Sequence, residues 1–251
     1  MKLKALGIDS TEFDSERAVS LRRNIVRVYN WILDSKGGEE ICEAASILDK
    51  LVTRKVPLVQ YRGMRFEDPA IADALLGGGM ASKHPCESWT PSLEVAERFA
   101  TERGPRPVFR YVTKRTLSKS EVILDVDGLT KVLTSILKEF KVADQKGQLH
   151  SSMDEERVHF TKVLEYFLRA SKEFNESEFL VHPRPYSLQD LYKVSIDTDL
   201  EEMIGMKSRI TLDNLEDIFS GRRSLYDLFG NWATVKNGKV VRVVKGPRKE
   251  S

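Results

Sequence analysis

Glu176 and Glu178 stand two residues apart at the head of the apolar, strand-like run Phe179-Leu180-Val181. Side chains alternate along a strand, so the two carboxylates would face the same way, about 7 Å apart. Like charges so placed repel, and in an enclosed site at least one pKa rises. Paired carboxylates of this kind serve charge stabilisation and proton transfer. The plain alternative is an exposed edge strand with a charged face, because surface carboxylates are common.

Two upstream groups also carry chemistry. Arg62 follows Tyr61 and precedes Gly63, where a guanidinium can grip a phosphate by paired hydrogen bonds or simply cap a solvated strand end. Ser88-Trp89-Thr90 leads into Pro91, which predicts Thr90 as a helix N-cap with Pro91 at the first helical position. Ser88 stands too early for capping. Other spacings read as structure. Asp125 and Asp127 share a strand face as a metal pair would, but no third ligand lies nearby, so strand-end acids beside a glycine turn are expected. Glu156 and His159 have the i, i+3 spacing of di-iron bundles without its second copy, so they read as a charged helix start and a surface histidine. Gly77-Gly78-Gly79 lacks the strand-to-helix setting of a dinucleotide fingerprint and reads as a loop.

The elements that must position these groups follow from periodicity. Ala18, Leu21, Ile25, Val28 and Ile32 recur at intervals of three and four, which predicts a helix over residues 15–34 that stops at Lys36-Gly37-Gly38. Ile41, Ala44, Leu48 and Leu51 define a second helix. Arg22, Arg23 and Arg27 fall on the first helix as a solvated basic face. Residues 57–63 read as a strand ending at Gly63, and 91–100 as a helix. Strands are expected at 108–112 and at 121–128, the latter ending in a turn. Residues 129–174 read as helical with a break at 146–148. A strand follows at 191–196, and a short helix at 211–220 with Thr211 as its cap. Asn237-Gly238, between β-branched runs, predicts a hairpin over 232–244. The basic tail 245–249 reads as a frayed terminus.

At 251 residues with 40 basic and 38 acidic side chains, the net charge is +2, so no global field calls for nucleic acid. An apolar share of 41% and a charged share of 31% suit an ordinary folded protein. Cys42 and Cys86 are the two cysteines, without zinc spacing, and point to a reducing, cytoplasmic setting. No secretory signal and no membrane-length apolar run is read, so no membrane is expected, and without zinc spacing or a third carboxylate ligand no metal is expected either.

Taken in order, Tyr61-Arg62-Gly63, Ser88-Trp89-Thr90 with the helix ending in Phe99-Ala100, and Glu176-Ser177-Glu178 resemble a known signature. It is that of the arginine/serine/glutamate class of mono-ADP-ribosyltransferases found among bacterial toxins and bacteriophage enzymes. The middle motif departs from the family's Ser-Thr-Ser, so Ser88 alone maps onto it directly. The resemblance spans about residues 57–197 and turns the glutamates from a charged face into a candidate site. It implies an α+β fold, a split β-sandwich around an NAD cleft, with N-terminal helices (13–55) and a helical insertion at 129–174. Residues 1–205 would form the transferase domain, and 206–251 a C-terminal helix and hairpin appendage. Within the site, the resemblance gives Glu178 the ribose charge, Glu176 the acceptor and Ser88 the positioning of Glu178. NAD, as substrate, would be held by Arg62 with Tyr61, Gly63 and Thr90, and by Arg103 or Arg106 from the loop after the motif helix.

The expected acceptor is a protein arginine. NAD hydrolysis, transfer to nucleic acid and a non-catalytic binding module are the alternatives. A retaining glycosidase also pairs carboxylates, but leaves Arg62 and Ser88 without a task.

Overall fold

The computed structural model describes residues 15–34, 38–52, 59–66, 84–101, 109–145, 154–174, 178–196, 231–237 and 239–244. The chain is α+β, with antiparallel sheets and, among the described residues, no closed barrel. It divides into two compact units. One draws on Met1–Val56, His84–Ser88 and Ser118–His182, the other on Pro57–Lys83, Trp89–Leu117 and Pro183–Ser251.

In the first unit, helix α1 (Ser15–Asp34) buries the stripe Ala18, Leu21, Ile25 and Val28, and adds Trp31 to it. Trp31 lies three residues beyond Val28, on the same face of a helix. The stripe packs on α2 (Glu40–Asp49), whose Ile41, Ala44 and Leu48 are buried. Its other neighbour is α5 (Asp154–Phe174), which contributes Phe160, Leu164 and Phe167 to the same core. Each fully buried side chain of this size stabilises the unit by about 1.5–3 kcal/mol. Two arginines of α1 form ion pairs at its margins, Arg22 with Glu156 at 3.2 Å and Arg27 with Glu40 at 3.0 Å.

The strand expected at 121–128 is shorter. Strand β4 (Val122–Asp125) passes directly into α4 (Val126–Gln145). Asp125 causes the change: its carboxylate accepts the Gly128 N–H at 2.8 Å and caps the helix. Leu129, Leu133 and Ile136 then face the core at helical spacing. Asp127 pairs with Lys131 at 2.6 Å. Among the described residues no group of three or more His, Cys, Asp or Glu side chains is placed to hold a metal ion. A three-stranded sheet runs in the order β2 (Glu87–Trp89), β5 (Phe179–Val181), β4. Strands β4 and β5 are antiparallel, with Leu124 opposite Leu180 and Asp125 opposite Phe179.

The second unit is built on a five-stranded antiparallel sheet, ordered β1 (Gln60–Phe66), β3 (Phe109–Arg115), β6 (Leu191–Ile196), β7 (Trp232–Lys236), β8 (Lys239–Val244). The expected hairpin forms, with Asn237 in the left-handed region at φ 51°. It joins this sheet through the pairing of β7 with β6.

Strand β1 does not stop at Gly63 as expected; it continues to Phe66, opposite Phe109. Gly63 serves instead for close approach to helix α3 (Leu93–Thr101). A Cβ there would overlap the Ala96 carbonyl and lie 2.9 Å from the Ala100 amide nitrogen. Ala96 and Ala100 are buried, and their small side chains let the helix backbone reach the strand. The α3 cap also differs from expectation. Ser92, not Thr90, accepts the Val95 N–H (3.3 Å), and Thr90 Oγ1 accepts the Ser92 N–H (3.1 Å). The backbone of Thr90 is already engaged with Tyr61, each N–H donating to the other's carbonyl at 2.7 and 2.9 Å.

Among the described residues no helix is long and apolar enough to cross a membrane. The expected helix at 211–220 lies outside the described residues.

Candidate functional site

Glu178 directly precedes β5. Its backbone carbonyl accepts the Val126 N–H at 3.0 Å, which ties it to the start of α4. At the other end of β5, the His182 N–H donates to the Glu121 carbonyl at 2.9 Å. With Phe179, Leu180 and Val181 all buried between these ties, the position of Glu178 is set by the sheet rather than by a loop. Its side chain is 6% exposed. A carboxylate taken that far from water needs compensating hydrogen bonds.

Ser88, in the neighbouring strand β2, supplies one. Its hydroxyl donates to a carboxylate oxygen of Glu178. The Ser88 oxygen in turn accepts the Trp31 indole N–H at 3.2 Å. The His84 ring meets that indole edge-on, with centroids 5.9 Å apart and planes at 78°. Cys86 is buried just before β2, and Cys42 donates its thiol hydrogen to the Pro85 carbonyl at 3.0 Å. Burial pushes the Cys42 thiol above its ordinary value.

Within the second unit, Arg62 is the third of the seven residues of β1, not its last. Alternation along the strand puts Gly63 and Tyr61 toward α3 and turns Arg62, with Gln60 and Met64, to the opposite face. The Arg62 carbonyl accepts the Thr113 hydroxyl at 3.4 Å, and the two residues are partners across the sheet. Tyr61 packs against the Tyr192 ring, with centroids 5.6 Å apart, and burial pushes its phenol above the ordinary value. Thr90 is buried and bonded to Tyr61 through the backbone. Gly63 is occupied by packing, and Thr90 by packing and the turn before α3.

Each unit thus holds one part of the sequence-derived set: Ser88 and Glu178 in the first; Tyr61, Arg62, Gly63 and Thr90 in the second. Glu176, Arg103 and Arg106 lie outside the described residues.

Two features escaped the sequence. Trp31 precedes Ile32, the last residue of the expected stripe of α1, and nothing in its spacing links its N–H to Ser88. The other is a buried cluster in the second unit. Arg115 donates to Asp190 at 2.8 Å and to the Pro185 carbonyl at 2.7 Å. Its guanidinium lies 4.4 Å from the Tyr186 ring centroid and 5.3 Å from that of Trp89. Burial alone would raise the Asp190 carboxyl, but hydrogen bonds from Arg115 and Ser187 outweigh it and hold it below the ordinary value.

Comparison with known proteins returns no match, whether to a protein-family model, a curated protein or a solved structure. A buried carboxylate held by a serine hydroxyl is suited to stabilising positive charge that develops beside it. A sheet-borne arginine offers a planar donor fork suited to phosphate.

Proposed function

We propose that the chain is an NAD-dependent mono-ADP-ribosyltransferase with a split-sandwich fold of the arginine/serine/glutamate class. The hydrogen bond from half-buried Ser88 to buried Glu178 carries the proposal, because it joins two motifs 90 residues apart, a serine and a glutamate that the resemblance pairs. The α+β class and the two antiparallel sheets support it further.

In the proposed reaction Glu178 faces the ribose. As the bond from ribose C1′ to the nicotinamide nitrogen breaks, its electron pair leaves with nicotinamide and positive charge grows on the ribose. The carboxylate attracts that charge more strongly than the ground state, which lowers the barrier. Ser88 fixes the carboxylate in place, so little reorganisation accompanies the charge. Arg62 holds the pyrophosphate through its guanidinium. Glu176 accepts a proton from the incoming acceptor, most favourably a protein arginine, whose nitrogen forms the new bond to C1′.

Purified protein incubated with NAD labelled in its adenylate part and a bacterial lysate is the test. Discrete bands that vanish on protease treatment and survive nuclease support a protein acceptor. Bands that vanish with nuclease would move the acceptor to nucleic acid. No label in either case, together with no nicotinamide release, would overturn the proposal.

A further inference from the structure

Ser88 Oγ has one hydrogen and two lone pairs, so on its own it can rotate that hydrogen toward any acceptor within reach. The Trp31 indole nitrogen is a donor only, and it occupies the Ser88 oxygen at 3.2 Å. With that side of the oxygen taken by an incoming hydrogen, the hydroxyl hydrogen is left for Glu178, which is where it goes. With Glu178 as a carboxylate, hydrogen donation runs from Trp31 to Ser88 to Glu178.

We infer that Trp31 is a positioning residue for Glu178, acting through the hydroxyl of Ser88. The inference rests on the proposed function and adds to it a part for the N-terminal helix. Trp31 is 3% exposed, and α1 is fixed by its packing on α2 and α5. The indole donor is therefore as rigid as the core itself. His84, edge-on to the ring, limits its rotation from the other side. Such fixed donor chains orient a carboxylate before substrate arrives, which is the form of electrostatic help that costs nothing at the moment of reaction.

A buried tryptophan also tends to find some partner for its N–H, so packing alone could place it there. The Trp31→Phe variant keeps an aromatic ring and removes the donor. Turnover of NAD to nicotinamide is expected to fall roughly three- to tenfold with KM for NAD unchanged, the effect of one neutral hydrogen bond. In a Ser88→Ala background the same substitution is expected to have no further effect, since its route of action is gone. Equal loss in both backgrounds, or a change confined to thermal stability, would overturn the inference.

A second measurement does not depend on activity or on that variant folding. The three indole N–H signals of the full-length chain labelled with 15N can be followed by NMR, with that of Trp31 expected to exchange slowly. In the Ser88→Ala protein the Trp31 signal is expected to shift and exchange faster while that of Trp232 stays. A Trp31 signal indifferent to Ser88 would overturn the inference even in an active enzyme. An inactive wild type with a responsive Trp31 signal would instead remove the enzymatic reading and leave the donor chain standing.

Discussion

Ser88 donates its hydroxyl hydrogen to the carboxylate of Glu178 from a neighbouring strand, 90 residues earlier in the chain. The β2-β5-β4 order brings the two strands side by side, and the Val126 N–H fixes the backbone of Glu178 at the edge of α4. In the Ser88→Ala variant the carboxylate loses a charge-assisted partner inside a buried site. Nicotinamide release measured at saturating NAD is expected to fall roughly ten- to hundredfold. Unchanged turnover would separate this hydrogen bond from the chemistry.

Gly63 sits where β1 and α3 come together at backbone distance. Gly63→Ala forces strand and helix apart and is expected to destabilise the protein by about 1–3 kcal/mol, read by chemical denaturation. Since the obstructing atoms are backbone, no side-chain rotation relieves the overlap. An alanine variant as stable as wild type would mean that the close approach is absent.

The Arg115–Asp190 pair predicts a pH dependence with a definite sign. Arg115 and its partners hold the Asp190 carboxyl below its ordinary value despite burial. A depressed folded-state pKa contributes stability that is full above the unfolded value of about 3.9 and is lost as pH falls through the folded one. Wild type and Asp190→Asn, compared by urea unfolding, are therefore expected to converge as the pH falls below about 4. Arg115→Met leaves a half-buried carboxylate without its cation and is expected to cost up to about 3 kcal/mol at neutral pH. A difference between wild type and Asp190→Asn that stays constant across the acid range would contradict the pairing.

Asp125 behaves in the opposite sense. Burial pushes its carboxyl up, only partly offset by the Gly128 N–H that it accepts. In the window just above the ordinary Asp value the folded chain holds a proton that the unfolded chain has released, so its stability contribution declines as pH rises. Asparagine caps a helix as well as aspartate without the charge. Asp125→Asn is expected to match or exceed wild type in stability at pH 7, and Asp125→Ala to fall about 1 kcal/mol below the Asn variant. Thermal unfolding of the three proteins at one pH decides it, and an Asn variant weaker than wild type would contradict the raised carboxyl.

Local signals in the sequence reached some of these elements and missed others for identifiable reasons. The stripe Ala18, Leu21, Ile25, Val28 and Ile32 repeats at the helical period over several turns; the first four are buried and Ile32 partly so. Asn237-Gly238 demands left-handed backbone, and Asn237 adopts it. Gly63 misled because a glycine marks either a turn or a close approach, and the helix that approaches lies some thirty residues later in the chain. Asp125-Val126-Asp127 alternates like a strand, yet a capping carboxylate and the core-facing residues that follow start a helix there. Pro91 drew the cap to Thr90, whose backbone is committed to Tyr61. Arg115 and Asp190 are 75 residues apart and share no local pattern. Ser88 and Glu178 were legible only through motif order. Trp31 was hidden because Ile32, the next residue, already completes the apolar period of α1.

Release of nicotinamide from NAD by the purified chain, compared with its Glu178→Gln variant, tests the central claim most directly. Glutamine keeps the shape and a hydrogen-bonding oxygen for Ser88 but carries no negative charge to meet the ribose. Steady release by wild type and a loss of roughly a hundredfold or more in the variant, with KM for NAD little changed, is the expected result. Equal rates in the two proteins, both at the background of NAD alone, would contradict it.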